Sequence, residues 1–564
     1  MESSEKVWNR SYNHPLPWDS RFGPLSVPDM LIASEQAKPD APAIDFMGRK
    51  YSYAETLNAA RRVNKGLRRL GVERGDRVGL FLPNVPHYVA AYYGAMMMGA
   101  TVVNFSPLYT LEELKHQVED SGTRILFTLS AKALLPTALQ VLEQSSVERL
   151  IVGSIAGVLS TGKSLVYRVL HADDAAVVPE DPRISRFSQL IDNDGDAEAA
   201  EIDPMTDVAL IQYTGGTTGT PKGAVLTHQN LSANARQVAS IDGHVGDNDR
   251  IIGALPLFHV FANTCVLNRT IAAAGEMVLL PRFNAEQVLK AIERTHAAYF
   301  PGVPTMFQAL LDNPAVSQTD FSSLRVCISG GAPLPIELKQ AFEAATGALI
   351  VEGYGLTESS GVVSANPYEG LNKTGTIGQP LPGTDVKLLD REDPSRDAAP
   401  GEPGELAFSG PQMMKGYWRR PDADAEVFVD GYLRTGDVAT IDDEGYIRIV
   451  DRMKDMIVVG GFKVFPSQVE SILYHNPVVK EALVIGIPDP YRGEIPKAFV
   501  TLKDDADMDG DTLMQWLNPQ LGKHERVVAV EIREALPRTL VGKLSRKELV
   551  AEEHAKHEAM RCHG

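Results

Sequence analysis

An uncharged stretch near the N-terminus sets the first constraint on the fold. Asp, Glu, Lys and Arg are absent from Val78 to Leu111. The order VGLFL, PNVPH, YVAAYYGAMMMG and ATVVNF predicts a buried strand, a turn, a buried helix and a second strand. A membrane-spanning helix is not expected here, because Pro83, Asn84, Pro86 and His87 interrupt the stretch. Such a strand–helix–strand unit predicts the interior of a folded α/β domain.

The same alternation continues along most of the chain. Apolar runs such as RILFTL and LRVCISGG alternate with helical patterns such as TLEELKHQVEDSG and AEQVLKAIERT. This pattern predicts the α/β class, with mainly parallel sheets in βα-layered subdomains. Gly, Pro and Asp crowd short strands over about 374–450, which predicts a small β-rich subdomain. We therefore predict an N-terminal region over 1–450, a charged connection over 451–455 and a small α+β C-terminal domain over 456–564.

Charge and cysteine content exclude several classes of function. The 564 residues include 73 acidic and 55 basic side chains, for a formal net charge of −18. Nucleic acid is therefore not expected as a partner, because its phosphate backbone requires clustered Lys and Arg. The three cysteines are too scattered for a disulfide framework or a zinc site, which indicates a reducing compartment. The chain does not begin with an apolar core of signal-peptide length, and the expected location is cytoplasmic.

A first candidate phosphate-binding loop lies after the apolar run RLIVGSI. Gly157 to Ser164 matches the pattern G-x-x-x-x-G-K-[ST], in which backbone amides cradle phosphates. On this interpretation the chain is a P-loop ATPase that uses Gly162, Lys163 and Ser164. The other interpretation rests on the apolar spacing over 158–170, which predicts an amphipathic surface helix suited to contact with lipid. No strand that ends in a magnesium-binding Asp is evident nearby, which favours the surface helix.

A second candidate loop follows the strand VALIQ and precedes a strand and a helix. Its sequence is YTGGTTGTPKG over 213–223. The glycines permit close backbone approach, so successive N–H groups can converge on one anion. Hydroxyl groups can bind phosphate oxygens, and a lysine supplies a point charge. The candidate phosphate-binding residues are Thr214, Gly215, Gly216, Thr217, Thr218, Gly219 and Lys222.

The segment TGGTTGTPKG resembles the signature loop of the adenylate-forming enzymes, which include acyl-CoA synthetases, adenylation domains of peptide synthetases and luciferases. The usual serine of that loop is replaced here by Gly215 or Gly216. The resemblance extends through several separate motifs over most of the chain. It implies that a carboxylic acid and ATP form an acyl-adenylate with release of pyrophosphate, and that coenzyme A then takes the acyl group.

Two further motifs are implied to hold the nucleotide and Mg²⁺. GGAP resembles the backbone segment that lies along adenine, and GYGLTE resembles the motif whose Tyr, Thr and Glu contact adenine, the α-phosphate and the metal. A carboxylate beside a triphosphate is repelled unless a hard cation lies between them, so Glu358 is the informative residue. Thr214 is implied as a second contact of the metal. The residues implied by these two motifs are Gly331, Ala332, Pro333, Gly353, Tyr354, Gly355, Thr357 and Glu358.

The C-terminal motifs are implied to bind the ribose, to form a hinge and to admit coenzyme A. YLRTGD ends in Asp437, which is implied to bind the ribose hydroxyls together with Arg452. Lys454 lies at the implied hinge, about which a mobile C-terminal domain turns. The GGFKV loop, with Gly461, resembles the passage for the pantetheine of coenzyme A. Lys543, after the segment LPRTLVG, resembles the catalytic lysine of adenylation.

The segment PLFHVFA indicates which class of carboxylic acid is activated. Amino-acid-activating relatives place an Asp there, and this chain has none. The apolar run from Phe258 to Leu267 suits an alkyl or aryl tail. His259 is interpreted as a pocket wall or gate, with a role as base for the thiol proton as the alternative. Residues 430–466 most resemble bacterial long-chain fatty-acyl-CoA synthetases, which predicts a medium- or long-chain fatty acid; an aryl- or cinnamate-CoA ligase is the alternative. Peripheral membrane contact through 158–170 and a homodimer are left open.

Overall fold

The computed structural model describes residues 6–198, 200–214, 221–246, 248–460, 462–503, 506–539 and 544–562, with side chains through residue 557. Internal contacts divide the chain into two compact units. The first contains the residues through 214, then 221–385 and 409–426. The second contains 386–408 and the residues from 427 onward. The predicted β-rich region is thus divided between the units, and the domain limits at 450 and 456 stay predictions.

The strands follow one another along the chain as β1 Pro42–Phe46, β2 Arg49–Ser52, β3 Arg77–Leu80, β4 Thr101–Asn104, β5 Thr123–Leu129, β6 Arg149–Gly153, β7 Ile184–Arg186, β8 Val208–Tyr213, β9 Gly223–Thr227, β10 Arg250–Gly253, β11 Glu276–Leu279, β12 Tyr299–Gly302, β13 Val326–Ser329, β14 Leu349–Tyr354, β15 Ser364–Ala365, β16 Gln379–Pro380, β17 Asp385–Leu389, β18 Gly404–Ser409, β19 Gly416–Tyr417, β20 Phe428–Val429, β21 Tyr432–Ile441, β22 Ile447–Arg452, β23 Ile457–Val459, β24 Phe462–Val464, β25 Val479–Asp489, β26 Gly493–Leu502 and β27 Val530–Ile532.

The α-helices are α1 Val27–Ala37, α2 Tyr53–Arg69, α3 Pro86–Met97, α4 Leu111–Ser121, α5 Leu135–Gln144, α6 Thr161–Leu170, α7 Phe187–Leu190, α8 His228–Ser240, α9 Val260–Ala262, α10 Arg269–Ala272, α11 Ala285–Thr295, α12 Pro304–Leu311, α13 Ile336–Thr346, α14 Pro421–Val427, α15 Pro466–Tyr474, α16 Gly510–Leu517 and α17 Arg546–Cys562. A π-helix over Asn263–Asn268 connects α9 to α10.

Two sheets form the framework of the first unit. In one, the strand order is β16-β15-β14-β13-β12-β10-β11-β1-β2, and the strands from β14 to β1 are parallel. In the other, the order is β19-β9-β8-β4-β3-β5-β6-β7, and the strands from β8 to β7 are parallel. The antiparallel strands lie at the sheet edges. The prediction of an α/β fold with mainly parallel sheets is confirmed.

The uncharged stretch forms the predicted strand–helix–strand unit. β3 and β4 are parallel neighbours, with Val78 opposite Val102, and α3 crosses between them. Every residue of α3 is buried, which explains why the helix lacks a polar face. No helix among the described residues combines the length and the apolar composition that crossing a membrane requires.

Local sequence signals account for the limits of the surface helices. Ser52 caps α2 and Thr110 caps α4, and in each case a Glu three residues later bonds back to the cap. Gly122 ends α4 in the left-handed conformation, with φ of 67°. Apolar side chains of α11, α12 and α13 then pack in a core that includes Phe300, Phe307 and Phe342.

The second unit contains two smaller sheets. One has the order β17-β18-β21-β20, with β22 also paired to β21. The other has the order β24-β23-β26-β25, with β27 paired to β26. Apolar side chains of α15 and α16 pack against this sheet in a core that includes Val469, Val484, Val500 and Leu513.

Candidate functional site

The predicted nucleotide motifs follow the carboxyl ends of parallel strands. In the first sheet, β13 leads into GGAP, β14 leads into GYGLTE, and β10 leads toward PLFHVF. In the other sheet, β8 leads into the loop that begins at Thr214. Loops at the carboxyl ends of parallel strands are the usual ligand-binding edge of open α/β sheets. The topology therefore places the predicted residues of the first unit at edges suited to a ligand.

Thr214 and Lys222 form the neck of the predicted phosphate loop, the point where hydrogen bonds join its two ends. The N–H group of Thr214 donates to the Lys222 carbonyl at 2.9 Å, and the Lys222 N–H group donates to the Thr214 hydroxyl at 3.4 Å. These contacts extend the antiparallel pairing of Tyr213 with Gly223 by one step. The loop residues Gly215, Gly216, Thr217, Thr218 and Gly219 lie outside the described residues.

Tyr417 connects two predicted site residues, Lys222 and Glu358. Its hydroxyl donates to Oε1 of Glu358 at 2.7 Å, and Nζ of Lys222 lies 5.1 Å from the centre of its ring. Burial and the facing carboxylate both raise the pKa of Tyr417, so its hydroxyl stays protonated and can only donate to Glu358. Tyr417 was not among the residues predicted from the sequence, because one tyrosine in the segment MKGYW has no pattern of its own.

The carboxylate of Glu358 fits the requirements of a magnesium ligand. Glu358 is half-buried, and none of the described residues donates a hydrogen bond to its Oε2. Clusters of three or more His, Cys, Asp or Glu side chains suited to a metal are absent from the described part of the chain. Mg²⁺ is often held by one or two carboxylates together with substrate phosphates and water, and this arrangement needs no such cluster.

Close backbone packing surrounds the predicted adenine segment. The N–H group of Gly330 donates to the Gly302 carbonyl at 3.2 Å, and a Cβ atom at Gly330 would lie 3.0 Å from the Phe261 ring. A Cβ atom at Gly355 would lie 2.2 Å from the Gly361 carbonyl oxygen, so only glycine fits there. The predicted residues in this region are all partly or fully exposed: Gly331, Ala332, Pro333, Gly353, Tyr354, Gly355 and Thr357.

His259 occupies the start of the predicted acyl segment. Its ring Nδ1 accepts the N–H group of Phe261 at 3.3 Å, which caps the start of α9. With Nδ1 as an acceptor, the neutral imidazole carries its proton on Nε2. His259 is half-buried. The role of His259 as wall, gate or base stays a prediction.

The acyl segment contains a π-helix and packs against a buried polar network, and neither was predicted from the sequence. Asn263 Oδ1 accepts from Tyr92 at 3.1 Å and from Asn268 at 2.9 Å, and Tyr93 donates to Asn268 at 2.9 Å. The Thr264 hydroxyl donates to the Ser360 carbonyl at 2.5 Å, close to Glu358 in the chain. The available signal was two asparagines, Asn263 within the apolar run and Asn268 directly after it. Short π-helical insertions of this kind frequently occur at functional sites.

In the second unit, Asp437 and Arg452 face each other across β21 and β22. Arg452 Nε lies 3.2 Å from Asp437 Oδ1, and the Asp437 side chain is buried. Partial desolvation, reinforced by repulsion from Arg452, lowers the pKa of Lys454. The structure thus brings three predicted residues of this unit together. Gly461 and Lys543 lie outside the described residues.

The chain next to the implied hinge is anchored at both of its acidic residues. Asp451 accepts the N–H group of Ser467 at 2.9 Å, and Asp455 pairs with Arg546 at 3.0 Å. Arg546 also pairs with Glu470 at 2.6 Å, and burial raises the pKa of Glu470. These bonds connect both ends of the 451–455 segment to the C-terminal helices α15 and α17.

The first candidate phosphate loop has the geometry of a surface segment. A short 3-10 turn over Ile155–Val158 separates β6 from α6, and Lys163 donates to the Met47 carbonyl at 2.5 Å. Tyr51 and Arg49 donate to the carbonyls of Val158 and Leu159. Because Lys163 and nearby carbonyls are engaged within the protein, the geometry disfavours a P-loop and supports the predicted surface helix.

Comparisons with known proteins give the family. The model of the AMP-binding enzyme family matches residues 32–418, and that of the AMP-binding enzyme C-terminal domain matches 468–543. The chain is 38% identical over 558 residues to a long-chain-fatty-acid–CoA ligase from Bacillus subtilis (strain 168), covering 98% of this chain and 99% of that protein. It is 36% identical over 520 residues to a feruloyl-CoA synthase from Amycolatopsis sp., covering 92% and 97%.

A solved structure of similar fold is ATP-bound MatB from Rhodopseudomonas palustris. Its TM-score is 0.82 at 29% identity, and the match covers 94% of this chain and 99% of that chain. The predicted resemblance to adenylate-forming enzymes, and within them to bacterial fatty-acyl-CoA synthetases, is confirmed. The chain therefore belongs to the AMP-binding enzyme family and is an adenylate-forming acid–CoA ligase.

Proposed function

We propose that this chain activates a medium- or long-chain fatty acid with ATP, releases pyrophosphate, and transfers the acyl group from the adenylate to coenzyme A. The observation that carries this proposal is the connection of Lys222 and Glu358 through Tyr417, which gathers a cation and a carboxylate beside the neck of the phosphate loop. A homodimer stays a prediction.

Charge neutralisation is the main task of the site in the first half-reaction. The acid is already ionised at neutral pH, so it needs no general base to attack the α-phosphorus. Its oxygen forms a bond to that phosphorus, and the bond to the leaving pyrophosphate oxygen breaks in line. Lys222 would hold phosphate charge at the loop, and Glu358 with Thr214 would hold Mg²⁺. When bound, Mg²⁺ supplies Lewis-acid neutralisation of the phosphate oxygens.

In the second half-reaction the thiol of coenzyme A attacks the acyl-adenylate that the first half-reaction formed. The thiol sulfur forms a bond to the acyl carbon, the thiol proton is lost, and AMP leaves with the electron pair of the broken bond. Asp437 and Arg452 would bind the ribose hydroxyls, since a carboxylate can accept both vicinal groups. Gly461 would admit the pantetheine chain after the C-terminal domain turns at Lys454, in a gated exchange with Lys543.

The acyl segment supports an alkyl tail. Residues 260 and 262–268 are buried, and the polar side chains among them are engaged within the protein. Asn263 bonds with Tyr92 and Asn268, and Thr264 bonds with the Ser360 carbonyl. A ring hydroxyl of an aromatic acid would therefore find these groups already occupied. An aryl acid is the second candidate, and the similarity to a feruloyl-CoA synthase supports it.

Glu358→Gln is expected to lower acyl-AMP formation about 10²-fold. A neutral amide binds Mg²⁺ more weakly than a carboxylate does, so the metal would no longer be positioned on the triphosphate. The rate of pyrophosphate release measures this loss. The matched control is Glu337→Gln, an exposed carboxylate on α13, which should leave the rate unchanged.

A panel of acids tests which acid is activated. Pyrophosphate release is measured with acids from acetate to stearate and with benzoate and ferulate, each with and without coenzyme A. The fatty-acid proposal requires the highest kcat/KM for a long alkyl acid. The highest kcat/KM for an aromatic acid would establish the alternative.

The α6 helix supports contact with a lipid surface. It has no buried residue, and four apolar side chains share one exposed stripe: Leu165, Val166, Val169 and Leu170 are 68%, 56%, 71% and 73% exposed. Arg168 lies beside this stripe, as basic residues do on helices that rest on anionic membranes. A long-chain acid itself partitions into bilayers, so a membrane is the partner whose chemistry fits this face.

Leu165→Gln with Val169→Gln is expected to weaken binding to phosphatidylglycerol-containing vesicles about tenfold or more, because apolar burial in the bilayer is lost. Vesicle co-sedimentation measures the binding, and the ratio of rates with bilayer-embedded and micellar acid measures its effect on substrate supply. Val177→Gln is the matched control, since Val177 is 92% exposed but lies outside the helix. Equal vesicle binding by the double variant and the unaltered chain would refute membrane contact through α6.

A further inference from the structure

We propose that Tyr417 is a positioning residue, which holds the Glu358 carboxylate and the Lys222 ammonium group in the geometry that the magnesium-bound triphosphate requires. This inference rests on the proposed function, in which Glu358 holds Mg²⁺. It assigns a new role to the segment over 414–420, which contains none of the residues predicted from the sequence.

The segment is fixed to the strand that leaves the phosphate loop. Tyr417 lies opposite Ala224 in the antiparallel pair of β19 and β9. The N–H group of Trp418 donates to the Gly223 carbonyl at 2.7 Å, and that of Lys415 donates to the Val225 carbonyl at 2.9 Å. The Tyr417 ring is therefore held directly beside the point where the chain leaves the loop at Lys222.

Asp120 fixes the same segment to the strand that enters the loop. Its Oδ2 accepts the hydroxyl of Tyr213 at 2.6 Å, and its Oδ1 accepts from Arg420 at 2.7 Å. The Trp418 indole donates to the Asp120 backbone carbonyl at 3.1 Å. Both strands that flank the loop are consequently joined to the segment, and any movement of the loop neck relative to Tyr417 would break several hydrogen bonds.

Glu358 is held by the segment through its backbone and its side chain. The Met414 N–H group donates to the Glu358 carbonyl at 2.7 Å, while Tyr417 donates to its carboxylate Oε1. One carboxylate oxygen is thereby oriented by a hydrogen bond, which directs the other oxygen to a cation. Partners of this kind, one step removed from the metal, commonly set the orientation and strength of metal ligands.

The Tyr417 ring also keeps Lys222 and Glu358 from neutralising each other. Lys222 Nζ lies over the ring face, and the structure gives no ion pair between these two described side chains. The ring attracts the ammonium group through a cation–π interaction without consuming its charge. Each group therefore remains available for the charge of opposite sign on the substrate side.

The test measures ATP binding by calorimetry without any carboxylic acid, once with excess chelator and once with Mg²⁺. The readout is the factor by which Mg²⁺ strengthens ATP binding. Tyr417→Phe keeps the ring and removes the hydroxyl, so we expect this factor to fall about tenfold while binding without metal is unchanged. Tyr417→Leu also removes the ring, and we expect it to weaken metal-free binding in addition, about threefold.

Tyr51→Phe is the matched control, because Tyr51 also donates its hydroxyl to one partner and carries a cation, that of Arg49, over its ring. In Tyr51→Phe, Mg²⁺ should strengthen ATP binding by the same factor as in the unaltered chain. The readout is a ratio measured on one folded variant, so a general loss of stability does not change it. An unchanged factor in Tyr417→Phe overturns the positioning role. Glu358→Gln separates two reasons for such a result. If it also leaves the effect of Mg²⁺ on ATP binding unchanged, the proposed role of Glu358 as a metal ligand is wrong. If it lowers that effect while Tyr417→Phe does not, only the positioning role of Tyr417 is wrong.

Discussion

Lys543→Ala is expected to slow acyl-AMP formation about 10³-fold and to leave thioester formation from supplied acyl-AMP unchanged. The reason is electrostatic: the attacking carboxylate and the α-phosphate both carry negative charge, and a lysine ammonium that bridges them acts only in the adenylation transition state. The thioester step starts from an adenylate whose acyl carbon is already activated, so it does not need this lysine. The two steps are measured separately, by release of pyrophosphate and by formation of acyl-CoA.

Gly461→Leu is the complementary variant of the same experiment. A branched side chain in the predicted pantetheine passage should block the thioester step and spare acyl-AMP formation. Lys163→Ala is the matched lysine control, since Lys163 donates to the Met47 carbonyl and lies on the surface helix α6. The opposite result, in which Lys163→Ala abolishes ATP turnover and Lys543→Ala does not, would restore the P-loop interpretation.

Arg269→Met is expected to lower the free energy of unfolding by about 3–5 kcal/mol, because it leaves two buried carboxylates without their cation. Arg269 is buried at 4% side-chain exposure and bonds to Asp242 at 3.0 Å and to Asp249 at 2.7 Å. Its guanidinium also stacks on the Tyr299 ring, 4.6 Å from the ring centre. The two aspartates accept the N–H groups of His244 and Gly246 in the turn before β10. The carboxyl end of β10 leads toward the acyl segment.

Chemical denaturation measures this loss, and two comparisons isolate its cause. Lys290→Met removes one partner of an exposed ion pair with Glu286 and should leave the free energy of unfolding nearly unchanged, because solvent screens that pair. Adding Asp242→Asn and Asp249→Asn to Arg269→Met should recover part of the lost stability, because the uncompensated charges are gone. If the triple variant is less stable than Arg269→Met alone, desolvated charge is not the cause of the loss.

The sequence was sufficient for the elements and motifs whose signals are local. The strand–helix–strand unit around α3 follows from an uncharged run broken by prolines. The resemblance to adenylate-forming enzymes rests on short motifs that can be recognised one at a time, and the family comparisons confirm it. The likeness of Gly157–Ser164 to a P-loop shows the limit of such signals. The letters match, but the carbonyls of Met47, Val158 and Leu159 accept hydrogen bonds from Lys163, Tyr51 and Arg49, and the sequence pattern contains none of these partners.

The sequence by itself determined the α/β class, through its alternating apolar runs and helical patterns, and it carried the resemblance to adenylate-forming enzymes, because each motif is a short segment whose chemistry is carried by its own residues. Only the tertiary structure decided which side chains support those motifs. Glu358 and Tyr417 are 59 positions apart, and Arg269 bonds aspartates 27 and 20 positions before it. Such pairs arise when the packing of sheets brings distant segments together, and a burial pattern or a periodicity in the sequence contains no information about which distant side chain will be the partner.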